Sequence, residues 1–316
     1  MKQKMYIGVD IGGTKTAVVK GDETGRILEK VKFATTGVEE TLRRILAEVK
    51  RMGEATAIGV SCGGPLDSEK GLILSPPNLP GWDRIPITEL LTKETGLPAY
   101  LQNDADACAL AEWRFGAGKG TRNMIFLTFG TGMGAGLILN GALYGGSCGR
   151  AGEVGHIAME SDGPVGYGKA GSFEGFCSGG GIRQCAIKKA RTMLAQGQIP
   201  SYCSTVAELD TVTAQTVADA ARKGHPDALE VYADCGRMLG RGLAILIDLL
   251  NPQRIVIGSI FARAEALLRE SMEREIAKEA LPDAAEICEI VPAALGEAIG
   301  DIAAITVAVE GENAAR

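Results

Sequence analysis

The stretch VDIGGTK, residues 9–15, ends an apolar run with an acid, two glycines, a threonine and a lysine. Two glycines between apolar runs are an ordinary signal for a β-hairpin turn. Because glycine has no side chain, the same turn also allows backbone N–H groups to approach an anion such as a phosphate. The stretch therefore predicts a hairpin and leaves open whether its turn binds a ligand.

The opening pattern recurs from residue 123, in NMIFLTFGTGMGAGLILNGALY. This segment is again an apolar strand, a glycine-rich turn and an apolar strand, with GTGMG in the place of DIGGTK. A repeat at this distance predicts two related lobes rather than a short-period solenoid. Two similar turns that face each other can hold a polyphosphate from both sides, so the repeat favours the phosphate-binding interpretation.

Strands and helices alternate around both turns. Residues 5–33 contain three predicted strands, and residues 39–51 form a predicted helix with a single apolar stripe. Buried strands are expected within residues 56–64 and 97–104, an alanine-rich helix follows, and the second half of the chain is mainly helical. This alternation is typical of a layered α/β fold.

The composition limits the classes of function. The chain has 316 residues, of which 46% are hydrophobic and 23% charged, as in an ordinary globular protein. A net charge of −6 argues against a general nucleic-acid binder, because that role needs a basic face. There is no secretory apolar stretch and no window like a membrane span, and eight cysteines are scattered without a C-x-x-C pair. We therefore expect a cytoplasmic protein with reduced thiols and no membrane attachment.

Asp104 ends the motif QND, residues 102–104, where a predicted strand gives way to a helix. Aspartate is among the best helix N-caps, which offers a purely structural explanation. A carboxylate at such a position can also accept the proton of an attacking hydroxyl, which phosphoryl transfer requires beside a metal-neutralised polyphosphate. Asn103 can hydrogen-bond the same substrate. The residues alone leave both interpretations of Asp104 open.

A second polar group surrounds GEVGH, residues 152–156. It contains His156, one of two histidines, with Glu153 three residues before it and Glu174 further on in GSFEGF. A lone histidine is more often a structural residue than a ligand. Several polar residues among glycines also suit a polyol substrate, which needs many hydrogen-bond donors and acceptors. His225 has the setting of a surface loop residue, and we assign it no role.

Five segments, in this order, resemble the ROK family of repressors and sugar kinases. They are DIGGTK (10–15), SPPNLPGW (75–82), QNDADACALAEWRFGAG (102–118), FGTGMGAGLILNGALYGGSCGRAGEVGH (129–156) and RIVIGS (254–259). The resemblance implies two ribonuclease-H-like lobes of the actin-like ATPase type, with ATP and a hexose in a central cleft. We expect residues 1–117 with roughly 300–316 to form the N-terminal lobe and residues 118–299 to form the C-terminal lobe.

The resemblance also implies a role for each matched residue. Asp104 would be the general base, and Asp10 would position Mg²⁺ through water. The implied sugar contacts are Asn78, Asn103, Asp104, Glu153, His156 and Glu174. The implied ATP contacts are Asp10, Gly12, Gly13, Thr14, Lys15, Gly130, Thr131, Gly132 and Gly258.

The segment after GEVGH departs from the family. Members commonly carry C-x-C-G-x-x-G-C-x-E there, and its three cysteines bind zinc together with the histidine. This chain reads VGYGKAGSFE, with Val165, Tyr167 and Ser172 at the cysteine positions. Because valine cannot ligate a metal, and neutral tyrosine and serine are poor substitutes for thiolate, we expect no structural zinc. Other hydrogen bonds must then orient His156.

The expected function is ATP-dependent phosphorylation of a hexose or N-acetylhexosamine hydroxyl by a glucokinase-like enzyme. Glucose is the first candidate among the sugars that the family handles, and a homodimer is implied by the resemblance. One alternative is a sugar-binding protein that has lost catalysis with its zinc segment. The other is a sugar-responsive transcription regulator, a branch that carries a helix-turn-helix domain before the phosphate loop. Only a few residues precede the first strand of this chain, too few for such a module.

Overall fold

The first glycine-rich turn joins two strands of a five-stranded sheet in the computed structural model, which describes residues 3–315. The strands are β1 (Met5–Ile11), β2 (Lys15–Asp22), β3 (Ile27–Ala34), β4 (Ile58–Cys62), β5 (Leu66–Asp67), β6 (Leu72–Ile73), β7 (Ile85–Pro86), β8 (Ala99–Asn103), β9 (Met124–Phe129), β10 (Met133–Leu139), β11 (Ala142–Leu143), β12 (Val165–Gly166), β13 (Lys169–Ala170), β14 (Arg254–Ile257) and β15 (Glu289–Pro292). The helices are α1 (Val38–Met52), α2 (Ile87–Thr95), α3 (Asp104–Phe115), α4 (Phe173–Phe176), α5 (Gly179–Ala195), α6 (Ala214–Arg222), α7 (Pro226–Leu250), α8 (Ile260–Glu279), α9 (Pro282–Ile287) and α10 (Ile299–Ala314). Short 3₁₀ helices cover Val154–His156, Val206–Thr211 and Gly296–Ala298.

The first sheet has the strand order β3-β2-β1-β4-β8. β1, β2 and β3 are antiparallel, whereas β4 and β8 run parallel to β1. The apolar residues of β1 and β4 are buried on both faces, as is usual for the parallel part of a covered sheet. The parallel strands end in register at Ile11, Cys62 and Asn103, so the polar residues at and after these ends share one edge.

The second large sheet has the order β11-β10-β9-β14-β15. Here too β14 runs parallel to both β9 and β15. If the five strands of each sheet are numbered in chain order, both sheets have the same spatial order, 3-2-1-4-5. The repeat seen in the sequence is a repeat of strand order, and the predicted α/β class with two ribonuclease-H-like sheets is confirmed.

The chain forms two compact units. The first contains the chain up to Arg122, Gly136–Ala151 and the chain from Ala294 onward, and the second contains Asn123–Ala135 and Gly152–Ala293. The segment 136–151 thus belongs with the first unit, which our sequence-based division did not anticipate. The lobe boundaries expected at 117/118 and near 300 stay predictions.

Apolar packing holds each element of the first unit on its sheet. One face of the sheet packs on α1 and α2 through a cluster that includes Ile45, Val49 and Trp82. The other face packs on α10, where a side chain at Gly59 would overlap the Ala304 carbonyl. This close approach fixes α10 against β1 and β4.

The strand β3 is at one edge of the first sheet. The side chains of the edge strand β3 alternate between more and less exposed positions and include Glu29, Lys30 and Lys32. Among residues 3–315, no helix is both long enough and apolar enough to cross a bilayer. All eight cysteines are free thiols, and five of them are buried.

Candidate active site

The first glycine-rich turn is a tight four-residue hairpin in the first unit. The Gly12 N–H donates to the Lys15 carbonyl at 3.1 Å. Thr35, just after β3, braces the turn, because its hydroxyl donates to the Gly12 carbonyl at 2.7 Å and its N–H to the Thr14 carbonyl at 3.0 Å. Gly13, Thr14 and Lys15 are exposed. The turn is therefore rigid and open to solvent, as a phosphate-binding turn requires.

Gly13 brings this turn against the loop that carries Asn78. A Cβ atom at Gly13 would lie 2.5 Å from the Asn78 carbonyl oxygen. Asn78 itself is exposed. The predicted phosphate turn and one predicted sugar contact are therefore direct neighbours.

Asp10 is half-buried near the carboxyl end of β1. Burial, together with the charges of Asp301 and Asp104, raises the pKa of this carboxyl to about 6, although Lys32 and Lys30 oppose the rise. Lys30 donates to Asp301 at 2.5 Å and so neutralises one of the neighbouring acids. Mg²⁺ is typically held by one or two carboxylates together with waters and substrate phosphates. A half-buried carboxylate beside further acids fits such an ion, since a cation would relieve the repulsion between them.

Asp104 is the first residue of α3 and is exposed. The N-cap is Asn103, whose Oδ1 accepts the Ala105 N–H at 2.9 Å, and Asp104 Oδ1 accepts the same N–H at 2.9 Å. Desolvation by the surrounding protein raises the pKa of Asp104, and the Ala105 N–H opposes part of this rise. A Cβ at Gly63 would be 3.8 Å from Asp104 Oδ2, so the strand end beside this oxygen is lined by glycine backbone. The N-cap of α3 is therefore Asn103 and not Asp104, and the role of Asp104 as a base stays a prediction.

The second glycine-rich turn belongs to the second unit. The Gly130 N–H donates to the Gly132 carbonyl at 3.1 Å, which closes the turn. The Thr128 hydroxyl accepts the Gly134 N–H at 2.8 Å and braces the strands on both sides. Thr131, at the tip, is exposed.

Glu174 lies at this second turn. Its Oε2 accepts the Met133 N–H at 2.9 Å, and a Cβ at Gly132 would lie 2.6 Å from the same oxygen. The GEVGH segment reaches the same place, because a Cβ at Gly155 would overlap the Met133 carbonyl and lie 3.2 Å from the Glu174 Cβ. The structure thus brings three predicted groups together: the turn, the GEVGH segment and Glu174. Whether Glu174 contacts a sugar stays a prediction.

Glu153 and His156 are both exposed beside the 3₁₀ helix Val154–His156. The Lys169 ammonium group donates to the His156 carbonyl at 2.7 Å. A predicted sugar-contacting residue is thus tied to the β12–β13 hairpin by a lysine.

Val165, Tyr167 and Ser172, at the cysteine positions of the family motif, differ in their exposure to solvent. Val165 and Tyr167 are exposed, whereas Ser172 is buried and caps α4 by accepting the Gly175 N–H at 3.1 Å. Within residues 3–315 no three His, Cys, Asp or Glu side chains are grouped so that they could hold a metal ion. The absence of structural zinc stays a prediction.

Two further segments reach the second turn, of which the first was not predicted and the second ends the motif RIVIGS, residues 254–259. The Gly179 N–H at the start of α5 donates to the Gly130 carbonyl at 2.8 Å. Ser259, between the buried Gly258 and α8, has φ of 52° and ψ of −108°, and its Oγ would lie 3.5 Å from a Cβ at Gly130. A left-handed φ is rare for serine and marks a constrained position. The run SGGG at 178–181 was the available signal for the first segment.

The site residues therefore form two groups, one in each unit. In the first unit the structure brings Asp10, Gly12, Gly13, Thr14, Lys15, Asn78, Asn103 and Asp104 to one edge of the first sheet. In the second unit it brings Gly130, Thr131, Gly132, Glu153, His156, Glu174 and Gly258 around the second turn. The carboxylates of Asp10 and Asp104 are close enough to influence each other.

Comparison with known proteins connects this geometry with a family. The model of the ROK family matches residues 6–310. A glucokinase of Thermotoga maritima is 33% identical over 318 aligned positions, which cover 97% of this chain and 98% of that protein. The crystal structure of a ROK family glucokinase from Streptomyces griseus, solved with glucose and AMPPNP, is similar with a TM-score of 0.78 and 30% identity over 97% of this chain and 100% of that one. A ROK family transcriptional regulator, described as a homologue of the Escherichia coli Mlc protein, has a TM-score of 0.84 and 27% identity over 96% of this chain and 77% of that one.

Proposed function

This chain belongs to the ROK family, and from that premise we propose that it is an ATP-dependent sugar kinase. The observation that carries the proposal is the position of Asp10, the Gly12–Lys15 turn and Asp104 at one edge of a single sheet. A phosphate-binding turn, a metal-binding carboxylate and a base are the parts that phosphoryl transfer needs. The similarity to glucokinases supports the same conclusion.

Asp104 acts as the general base. Its carboxylate accepts the proton of the sugar hydroxyl while the hydroxyl oxygen forms a bond to the γ-phosphorus of ATP. The bond between that phosphorus and the bridging oxygen of ADP breaks, and ADP leaves with its electron pair. A raised pKa suits this task, because a base whose pKa is closer to neutrality accepts a proton more readily.

The two glycine-rich turns hold the polyphosphate through backbone N–H groups. Thr14 and Lys15 add a hydroxyl and a positive charge at the first turn, and Thr131 adds a hydroxyl at the second turn. Asp10 would hold Mg²⁺, which neutralises phosphate charge when it is bound. Gly258 lies in the part of the chain that we assign to the adenosine.

Asn78, Asn103, Glu153, His156 and Glu174 bind the sugar hydroxyls. We propose glucose as the first substrate to test, because the similar proteins from Thermotoga maritima and Streptomyces griseus are named glucokinases. N-acetylhexosamines are the second class to test. The enzyme acts as a homodimer in the cytoplasm, and its free thiols agree with a reducing compartment.

A sugar-responsive regulator is the second candidate. It is favoured by one observation, the similarity in fold to the Mlc homologue. A sugar-binding protein without catalysis remains the third. Turnover distinguishes the kinase from both.

The test is an assay of ADP release over a panel of hexoses and N-acetylhexosamines with MgATP. Asp104→Asn keeps the size of the side chain and removes the base, so we expect kcat to fall by about 10²- to 10⁴-fold while calorimetry still detects sugar binding. Asp234→Asn, on the exposed part of α7, is the matched control and retains wild-type kcat. Wild-type sugar binding without turnover of any sugar would contradict the kinase. Near-normal kcat in Asp104→Asn would remove Asp104 from the role of base.

A further inference from the structure

Glu112 is a charged side chain that is completely buried, with 0% of its surface exposed. Its carboxylate accepts three backbone N–H groups, from Ala117 at 2.7 Å, Ala294 at 3.2 Å and Leu295 at 2.9 Å. In the described part of the chain, no basic side chain forms an ion pair with it. Burying a charge is costly unless hydrogen bonds replace its water, so these three donors hold the carboxylate in one place.

The three donors come from two separate segments of the first unit. Ala117 lies in the loop that follows α3, whereas Ala294 and Leu295 are where the chain re-enters this unit before α10. The main-chain carbonyl of Glu112 also accepts the N–H groups of Gly116 at 3.0 Å and Gly118 at 2.9 Å. One residue thus joins the end of α3 to the segment that leads into α10.

The first of these helices carries the proposed base, and the second contacts the proposed metal-binding residue. α3 begins at Asp104, and the first turn of α10 contains Gly300, where a Cβ would lie 2.8 Å from Asp10 Oδ2. The two helices pack directly on each other through Ala107, Ala111, Ala303 and Val307. These side chains are mostly small, so the two helices approach each other closely and a displacement of one is transmitted to the other.

We propose that Glu112 is a positioning residue for phosphoryl transfer. By tying the end of α3 to the segment that leads into α10, it supports the helix that begins at the base Asp104 against the helix whose first turn contacts the metal-binding Asp10. The inference rests on the proposed kinase function. It assigns no chemical step to Glu112, which lies eight residues after Asp104 on α3.

Glu112→Gln is the test, because glutamine has the same shape but turns one acceptor into an NH₂ donor. At least one of the three backbone N–H groups then faces a donor. We expect kcat to fall by at least about tenfold while the KM of the sugar changes by less than about threefold, since small displacements of reacting groups act mainly on the chemical step. Glu112→Asp, which keeps the charge and both oxygens, is expected to recover part of kcat.

The control for a merely structural effect is Val49→Ala. Val49 is buried on α1 in the same unit, away from α3 and α10. This variant loses stability through a core cavity, and we expect its kcat to stay within about twofold of wild type. Equal losses of kcat in Val49→Ala and Glu112→Gln at matched stability, or an unchanged kcat in Glu112→Gln, would overturn the proposal. If Glu112→Gln does not fold, Glu112→Asp takes its place in the same comparison.

Hydrogen exchange gives a readout that does not depend on activity. In Glu112→Gln we expect faster exchange of the amides at 117 and at 294–301, whereas in Val49→Ala the change is confined to α1 and its neighbours. If the wild-type protein phosphorylates no sugar, the kinase proposal is wrong, but the exchange experiment still tests whether Glu112 holds the two segments together. Unchanged exchange at 294–301 in Glu112→Gln would end the positioning proposal alone.

Discussion

At the scale of single residues, the absence of a side chain at each site glycine is required by a particular neighbouring group. The sequence predicts that Gly12 and Gly13 let a phosphate approach the backbone. The structure adds a second reason for Gly13, the contact with the main chain of Asn78. That reason could not be read from the sequence, because the two residues are separated by 65 positions and only the fold brings them together. Similarly, nothing local to Gly300 signals its contact with Asp10.

Gly13→Ala is expected to raise the KM of both ATP and the sugar by about tenfold. The added methyl group would displace the phosphate turn, the Asn78 loop or both, because it would lie 2.5 Å from the Asn78 carbonyl oxygen. Steady-state kinetics measures both constants. Gly37→Ala is the matched control, since a Cβ there has no atom within 4 Å and φ is −59°. Wild-type constants in Gly13→Ala would show that the turn tolerates the methyl group.

Asp10→Asn is expected to abolish catalysis and, without Mg²⁺, to stabilise the fold at neutral pH. The pKa of Asp10 is raised from 3.8 to about 6, so the folded state binds this proton more tightly than the unfolded state. The wild-type carboxyl therefore destabilises the fold increasingly from about pH 4 to about pH 6 and by a constant amount above that. Urea denaturation from pH 4 to 8 should give Asp10→Asn an advantage that grows to about 1–3 kcal/mol. An advantage that is independent of pH would show that ionisation of Asp10 is not its cause.

At the scale of elements, long periodic segments were predictable and short or glycine-led ones were not. The strands β1, β2 and β3 and the helices α1, α3 and α7 agree with the apolar patterns of the sequence. The helix α5 was missed because it begins with three glycines, which are poor helix formers. Its start is nevertheless well capped, since the Ser178 hydroxyl accepts the Gly181 N–H at 3.0 Å.

Hydrogen bonds to the β12–β13 hairpin hold the segment that has Val165, Tyr167 and Ser172 in place of cysteines. Gln184 on α5 makes two hydrogen bonds to the main chain of Val165, accepting its N–H and donating to its carbonyl, each at 2.9 Å. Lys169, on the second strand, holds the His156 carbonyl. We expect these contacts to hold the hairpin in place without a bound metal ion.

Gln184→Ala is therefore expected to lower the free energy of unfolding by about 1–2 kcal/mol and to raise the KM of the sugar. Denaturation and kinetics measure the two effects, and Gln198→Ala, at an exposed position beyond the same helix, serves as control. Elemental analysis of the wild type should find no stoichiometric zinc, and prior treatment with a zinc chelator should leave activity unchanged once Mg²⁺ is restored. Stoichiometric zinc would refute this interpretation of the hairpin.

At the scale of the whole molecule, the duplicated strand order was predictable because each glycine-rich turn lies between two strongly apolar strands. The return of residues 136–151 to the first unit was not predictable from the sequence, because it depends on tertiary packing such as that of Gly136 against Ala109. The residues proposed for the site were found by resemblance, and the structure groups them within each unit. Glu112 was missed because a glutamate in a helical pattern has the appearance of a solvated residue.

We expect the purified protein not to be retained on DNA, even at low ionic strength. The net charge of −6 opposes binding to phosphates, and a regulator would need a basic face. Fluorescence anisotropy with a mixed-sequence duplex at low salt, with and without glucose, measures the affinity. Binding that glucose releases would favour the regulator over the kinase.

The edge strand β3 has a consequence for behaviour in concentrated solution. The backbone N–H and C=O groups at a sheet edge are unpaired and can form hydrogen bonds with a strand of another molecule, which can start aggregation. Glu29, Lys30 and Lys32 place charges of both signs along this border, and a newly arriving strand would have to desolvate them. These charged side chains therefore protect the edge strand of the first sheet. We expect the protein to aggregate less readily at high concentration than it would with an apolar edge strand.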